Sequence, residues 1–567
     1  MTLDRKTAAR TLRRIATLLE VTGDNPHRVR AFANASRAVD RIDGDLEAMI
    51  ADGSLLEVKG LGRGTAAVLE DLAAGRQPEV LERALTAVPE GVRDLLGVPG
   101  LGPKKVRALW HDLKVASLGE LEYACRENRL VELPGFGAST QQRILDGVTF
   151  ARQAGERRLM NEAQKIAEDL REALRSVPGV ADVVVAGQVR RCCETVGAID
   201  FVVIATSDGA VSRAAETCLP GSSLGADGLW TGSSDSGLPV TLWEAGEADA
   251  GVTLLWATGS GDHLDELAAR ARAGGMSLRR DGLRRGDERV PCPDEASVYE
   301  ALGCLWVPPE LREGEGEIER AATGRLPVLV SMADVLGTLH NHSTDSDGGA
   351  SVEDMARAAG KLGWSFFGVA DHSPVAVYAH GVDGDRLRDQ WRRVDAFNQT
   401  GTGLRIVKGL EADILSDGAL DIPEGCEAGL DYVVASVHSN FRLSEEQQTE
   451  RLVRAVAHPA CRVLGHPTGR LLLARPGYAV DLEKVLEACV EHGVAVEINA
   501  SPYRLDLDWR WARRALELGL KLIVNPDAHS IEGLTDVGWG LAVARKAGAT
   551  ADDLVNCAPI GDFLGEG

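Results

Sequence analysis

VLGTLHNHS, residues Val335 to Ser343, decides how this chain is read. A short apolar run ends in His340-x-His342, and residues two apart on an extended strand face the same side. Two imidazoles placed that way are a common pair of metal ligands. The loop that follows adds an acid, Asp347, in SDG. Downstream the same grammar repeats. FFGVADHS ends in Asp371 and His372, RIVKGLEADI near Glu411, YVVASVHS in His438, and CRVLGHP in His466. AVEINASP carries Glu497 and Asn499, and LIVNPDAHS ends in Asp527 and His529. Strand-like runs alternating with helical ones predict an α/β unit with parallel strands. In a barrel of parallel strands, the loops at the C-terminal edge converge on one mouth. A single histidine at a strand end is more often a hydrogen-bonded structural residue. Six of the twelve histidines at such ends, with acidic partners, point instead to a multinuclear metal site.

The chain has 567 residues, enough for roughly three to five domains. Its 44% hydrophobic and 26% charged composition is that of a folded globular protein. No apolar run has the length of a spanning helix, and the start, MTLDRKTAARTLRR, lacks a signal-like apolar stretch. The expectation is a cytoplasmic, nucleoid-associated protein without a membrane partner. Ten scattered cysteines without a C-x-x-C pair fit a reducing compartment. The net charge of −23 is uneven: residues 1–150 carry 21 basic and 21 acidic side chains, and the excess acid lies further on. A neutral N-terminal part can bind nucleic acid through local backbone contacts, without long-range steering.

That part uses one element three times: VKGLGRGTA (Val58 to Ala66), VPGLGPKKV (Val98 to Val106) and LPGFGASTQ (Leu133 to Gln141). Each glycine pair, Gly60 and Gly62 (with Gly64 beyond), Gly100 and Gly102, Gly135 and Gly137, permits a tight turn. It also leaves the N–H groups at the next helix start uncovered, where a phosphate fits. Lys104 and Lys105 follow the second pair. Three copies resemble helix-hairpin-helix elements, which grip DNA backbone without reading bases, and imply gapped, nicked or 3′-ended DNA as partner, with other repair proteins beside it.

Residues 151–332 switch to strand signals in VADVVVAGQVRR, AIDFVVIAT and LPVTLWEA. With TGSGDH (Thr258 to His263) and EASVYEALGCLWVPPELRE (Glu295 to Glu313), they resemble the palm and thumb of bacterial family X DNA polymerases. Those proteins place three carboxylates, a D-x-D pair and a later Asp, around two metal ions, after a G-S pair and two arginines. Here the serine position is Gln188, followed by Arg190 and Arg191, the D-x-D positions are Ala198 and Asp200, and the third falls on Thr241. One carboxylate cannot hold a metal pair, so the palm reads as degenerate and polymerisation as lost.

The C-terminal motifs resemble the polymerase-and-histidinol-phosphatase (PHP) family, a distorted seven-stranded barrel holding up to three ions, and every ligand position of that family is filled. The resemblance implies that His340, His342 and Asp527 serve one ion. Glu411 would bridge to a second held by His438 and His466, and Asp347, His372 and His529 would serve a third. Zn²⁺, Fe²⁺ or Mn²⁺ fit these donors, with Mn²⁺ the activator in nuclease members. The catalytic centre would then be His340, His342, Glu411 and Asp527 around a metal-activated water that attacks phosphorus in line. Arg470 and Arg504, just past strand ends, are candidates to clamp phosphate.

The expected fold is thus multidomain, with helix-hairpin-helix N-terminal regions, an α+β nucleotidyltransferase-like palm and thumb, and a C-terminal α/β distorted (βα)7 barrel. Expected boundaries are 1–85 (8-kDa-like, first hairpin), 86–150 (fingers-like, two hairpins), 151–245 (palm), 246–320 (thumb), 321–334 (connector) and 335–567 (PHP). The connector is expected to dock through Leu326, Val328 and Leu329. The function expected is end-processing DNA hydrolysis in repair, as a 3′–5′ exonuclease or a trimmer of abasic or blocked ends. Competing readings are an active polymerase with 3′–5′ exonuclease, a small-molecule phosphoesterase of the histidinol-phosphatase type, and a non-enzymatic scaffold with structural metal.

Overall fold

A computed structural model describes residues 4–42, 46–126, 129–246, 248–401 and 403–566. The chain forms two compact units, Met1–Gly155 and Glu156–Gly567.

The first unit is helical, and its core is drawn from amphipathic stripes such as Leu12, Ile15 and Leu19 of the Arg5–Thr22 helix and Val106 and Leu109 of Pro103–Asp112. All three hairpins are present. Gly60, Gly100 and Gly135 hold φ of 106°, 88° and 85°, a region that L side chains avoid. Gly62 and Gly102 then cap the Arg63–Ala73 and Pro103–Asp112 helices in extended conformation, with no side-chain cap over the first N–H groups. A Cβ on Gly62, Gly64, Gly100, Gly102, Gly135 or Gly137 would meet nothing within 4 Å, so these turns stand open on the outside. Lys104 is exposed, whereas Lys105 folds back on its own turn, over the Phe136 ring (5.5 Å) of the third hairpin.

The second unit begins with a five-stranded sheet in the order Val180–Ala186, Ile199–Ala205, Pro239–Ala245, Trp230–Ser233, Ser223–Leu224. Three helices, Ala250–Thr258, Gly261–Ala273 and Glu295–Ala301, pack with a small antiparallel sheet to form a separate core around Leu255, Leu283 and Val298. Leu326 and Leu329 of the connector pack on that core, but Val328 is 87% exposed and takes no part in docking.

From Gly337 onward, seven parallel strands pair in sequence order. The first and last are joined by an Asn341–Ala528 bridge, which nearly closes a barrel. Strands buried on both faces read as apolar runs. Two of the glycines in them are required by one tyrosine. A Cβ on Gly409 would lie 2.2 Å from the Tyr432 ring, and one on Gly368 2.4 Å from its hydroxyl. That hydroxyl is buried and donates to the Val369 carbonyl (3.0 Å) and the Leu339 carbonyl, tying neighbouring strands together.

Palm and barrel share one core: Met160 belongs to the barrel's cluster, and Cys192 packs against it. Polar contacts reinforce the joint. Lys546 is buried and donates to the Arg191 carbonyl (3.0 Å) while pairing with Glu313, and Arg545 pairs with Glu310 (2.8 Å). Among the described residues, no helix is long and apolar enough to cross a membrane.

Candidate metal centre

Six of the seven strands deliver the side chains. His340 and His342 follow Gly337–Thr338, His372 follows Phe366–Val369, and Glu411 lies on Arg405–Asp413. His438 follows Tyr432–Ser436, His466 follows Cys461–Leu464, and Asp527 and His529 follow Leu522–Asn525. Asp347 comes from the first loop. The backbone is bent to aim two of them: Asp527 (φ 53°) and His466 (φ 24°) adopt left-handed conformations that cost roughly 1–3 kcal/mol each.

Glu411 is the hub. One carboxylate oxygen is 3.2 Å from His340 Nε2, 3.3 Å from His438 Nε2 and 3.1 Å from His466 Nε2. The other is 2.7 Å from His372 Nδ1 and 3.7 Å from His342 Nε2. Asp527 lies 3.0 Å from His342 Nε2 and 3.6 Å from His340 Nε2, and Asp347 lies 3.4 Å from His529 Nε2 and 3.6 Å from His372 Nε2. The nine candidate ligands therefore form one cluster. Three overlapping sets offer donor atoms within 4.8 Å of one another: His342, Asp347, His372 and His529; His340, His342 and Asp527; His372, Glu411 and His438. His466 lies outside these sets, against Glu411.

The donor set fits divalent cations. Imidazole and carboxylate are the donor types that Zn²⁺, Mn²⁺ and Fe²⁺ accept. Buried lone donors also need a partner, and here His340 Nε2, His342 Nδ1, His372 Nδ1 and Glu411 Oε2 have no hydrogen bond. Without cations, the charges act on one another. Burial would push the Glu411 carboxyl up, but the His438, His340 and His372 imidazoles outweigh it and hold it well below the usual range. Burial would lower His438, yet Glu411 and Asp413 push it up to about 10. His342 goes down to about 4 through burial and the neighbouring His529 and His372.

Further carboxylates hold the ligands in place. Glu497, seen only as a strand-end acid, is fully buried and accepts from His340 Nδ1 (2.8 Å), the His466 backbone N–H (3.0 Å), Asn499 (3.0 Å) and Asn525 (3.0 Å). It fixes the His340 ring with Nε2 facing the cluster. Asp413 lies 3.3 Å from His438 Nδ1, and His529 Nδ1 lies 2.8 Å from the Asp527 carbonyl. Asp371 sits outside the cluster, accepting from the Ser343 N–H (2.8 Å) and hydroxyl (2.6 Å) and from Gln390 (2.6 Å), which shapes the loop that carries Asp347. Carboxylates on other strands, one to five strands along the chain, leave no local signal in a sequence. Glu497→Gln should lower metal affinity about 10–100-fold, because its amide N–H groups would face donors. Metal titration followed by calorimetry checks this, and unchanged affinity would refute it.

Of the two candidate clamps, Arg470 is unavailable. It is spent on Glu194 of the palm (2.7 Å) and on the Arg504 and Leu505 carbonyls. Arg504 stays at the mouth, its Nε 3.8 Å from Asp527.

In the palm, Asp200 and Thr241 are parallel partners in register, and Ala198 immediately precedes the Ile199–Ala205 strand. The Asp200 carboxylate accepts from Trp243 Nε1 (3.1 Å) and lies so close to Gly187 that a Cβ there would come within 2.2 Å. Burial raises its pKa. Gln188 accepts from the Gly197 N–H (2.8 Å), and Arg190 makes paired bonds to Glu295 (2.8 and 2.7 Å). Among the described residues, the side-chain groups able to hold a metal all lie in the barrel.

Comparison with known proteins agrees along the whole chain. Residues 4–78 match the helix-hairpin-helix domain family, 92–148 the SAM-like helix-hairpin-helix tandem, 253–313 the DNA polymerase beta thumb and 338–501 the PHP domain. The DNA polymerase/3′-5′ exonuclease PolX of Bacillus subtilis (strain 168) is 33% identical over 572 residues, covering 99% of this chain and 98% of that protein. A probable phosphatase of Thermoanaerobacter sp. (strain X514) is 31% identical over 229 residues, 38% of this chain and 88% of its own length. Among solved structures, Leishmania infantum polymerase beta in a ternary complex covers 40% of this chain and 98% of its own at 19% identity and a TM-score of 0.27, too slight to place any residue. With a relative at this identity aligned end to end, and hairpin, thumb and barrel matches in the same order, the chain belongs to the family X DNA polymerases that carry a C-terminal PHP domain.

Proposed function

We propose that this chain is a metal-dependent phosphodiesterase that processes DNA 3′ ends in repair, and that its polymerase centre is inactive. The observation that carries the reading is one cluster of nine imidazole and carboxylate side chains, five of the imidazoles against Glu411, set beside one carboxylate, Asp200, in the palm.

Divalent cations held by His340, His342, Asp347, His372, Glu411, His438, His466, Asp527 and His529 would supply Lewis acidity and an activated water. Mn²⁺ is the activator we infer. The protein's part is orientation. Glu497 and Asp413 fix the His340 and His438 rings, and Asp527 bends inward on strained backbone. Arg504 sits where a non-bridging phosphate oxygen could approach. In the first unit, the open glycine turns leave helix N–H groups free for backbone phosphates of gapped or nicked DNA. That favours DNA over a small phosphoester, even though one relative of the barrel is named a probable phosphatase.

The palm's remaining groups are engaged with one another. Asp200 is bonded to Trp243 and Arg190 to Glu295, and neither Ala198 nor Thr241 supplies an anion. Full-length protein with Mn²⁺ should shorten a 3′-labelled strand, and Asp200→Ala should leave that rate within about twofold, since the residue shares no partner with the barrel's donor groups. Labelled nucleotide should not be incorporated into gapped DNA. Incorporation lost on Asp200→Ala would restore the polymerase, whose name the Bacillus subtilis relative carries. Turnover of histidinol phosphate much faster than DNA would favour the small-molecule reading.

A further inference from the structure

The loop after His372 is built as a rigid platform. The Ala376 N–H donates to the Ser373 carbonyl (3.0 Å), the Gly381 N–H to the Ala376 carbonyl (3.2 Å) and the Val382 N–H to the His372 carbonyl (2.7 Å). Asp421 accepts from the Val375 N–H (2.7 Å), and Arg386 binds the His380 carbonyl (2.9 Å). Gly381 is pressed so close to Ser373 that a Cβ would lie 1.9 Å from its carbonyl oxygen. Ala376, Ala379 and Val382 point inward and are buried. Yet Val377 and Tyr378 point outward, 79% and 68% exposed.

A fixed loop that spends its packing on displaying apolar groups at a polar mouth has a ligand to meet. The Tyr378 ring stands 6.1 Å from the His372 ring and 6.4 Å from the His438 ring, at the edge of the candidate ligand cluster. Arg504, whose Nε lies 3.8 Å from Asp527, adds a cation to the same mouth. Platform, ligand cluster and guanidinium thus offer stacking beside phosphate recognition, which is the chemistry of a nucleotide.

We infer that Tyr378 is the stacking platform for the base of the terminal nucleotide, so that the site selects base-bearing 3′ ends over abasic ones. The inference rests on the nucleic-acid reading above and narrows it. A ring stacked on every base favours none of the four, since each has a π-face. Tyr378 is a positioning residue: it holds the base while the barrel's ligand cluster acts on the phosphate.

The test uses full-length protein, Mn²⁺ and two single strands identical except that one ends in a tetrahydrofuran abasic residue. The wild type should cut the base-bearing end about tenfold faster in kcat/KM, equivalent to ~1.4 kcal/mol. Tyr378→Ala should lose that tenfold, mainly through KM, and cut both ends at the wild-type abasic rate. Tyr378→Phe keeps the ring and should keep the preference. If Tyr378→Ala slows both ends equally, or Tyr378→Phe is as impaired as alanine, the hydroxyl or the loop matters and stacking is wrong. If Tyr378→Ala instead changes only the sedimentation of the protein, the rim is a contact between copies and stacking is equally wrong. Failure of the wild type to cut either strand would bring down the nuclease reading itself, a result separable from loss of the preference alone.

Discussion

Glu411→Gln should reduce Mn²⁺-dependent DNA hydrolysis by on the order of 10²–10³-fold, the range seen when a group stabilising transition-state charge is removed. The reason is position. Five imidazoles, from His340, His342, His372, His438 and His466, lie within 3.7 Å of its two oxygens, and among the described residues no other carboxylate touches as many. The amide is nearly isosteric but neutral. It would turn an N–H group toward nitrogen atoms meant to share a cation, and bound metal should fall with the rate. Exonuclease assays paired with elemental analysis of the purified variant check both halves. Retained hydrolysis at normal metal content would place the chemistry elsewhere. Circular dichroism guards against a trivial loss, because removing one charge from a buried cluster leaves the imidazoles around it uncompensated.

The second large effect concerns stability. Lys546→Ala should destabilise the Glu156–Gly567 unit by about 3 kcal/mol, the scale of breaking a buried ion pair. Its ammonium is 2% exposed, pairs with Glu313, donates to the Arg191 carbonyl and lies 5.3 Å over the Trp509 ring. Truncation leaves Glu313 with the Arg191 guanidinium (3.1 Å) but without the ammonium, and removes the donor to the Arg191 carbonyl at the joint between palm and barrel. Lys546→Met restores the apolar stem but not the charge, so it should recover only the packing share. Urea unfolding followed by tryptophan fluorescence measures this. Because Met160 and Cys192 of the palm pack in the barrel's core, palm and barrel signals should move together. Separate transitions, with only one shifted, would show that the joint is not cooperative.

The same joint explains two misjudged residues. Arg470 reads in sequence as a strand-end cation free for phosphate. In the fold it is consumed by Glu194, 276 positions earlier, and by two carbonyls of its own domain. Val328 reads as docking apolar surface and is 87% exposed: Leu326 and Leu329, three residues apart, meet the thumb core, so the connector does not keep the strict two-residue alternation of a strand.

Some features were written locally and could be read without a fold. Each G-x-G turn carries its own conformational demand, met at Gly60, Gly100 and Gly135 by positive φ. The barrel's strands were legible as apolar runs, and the ligand types at their ends stood out because polar residues at that position, repeated seven times, are costly unless they serve a purpose. Asp200 and Thr241 were placed by the resemblance to family X palms, and they are register partners on adjacent strands. Long-range closure decided the rest. Glu411's place among five imidazoles, Glu497's grip on His340, Asp371's withdrawal into loop support and Tyr378's stance at the rim all join residues brought together only when the seven strands curl round. Such contacts depend on register and on which strand neighbours which, and a linear pattern fixes neither, since its signals reach only as far as one strand or one turn of helix.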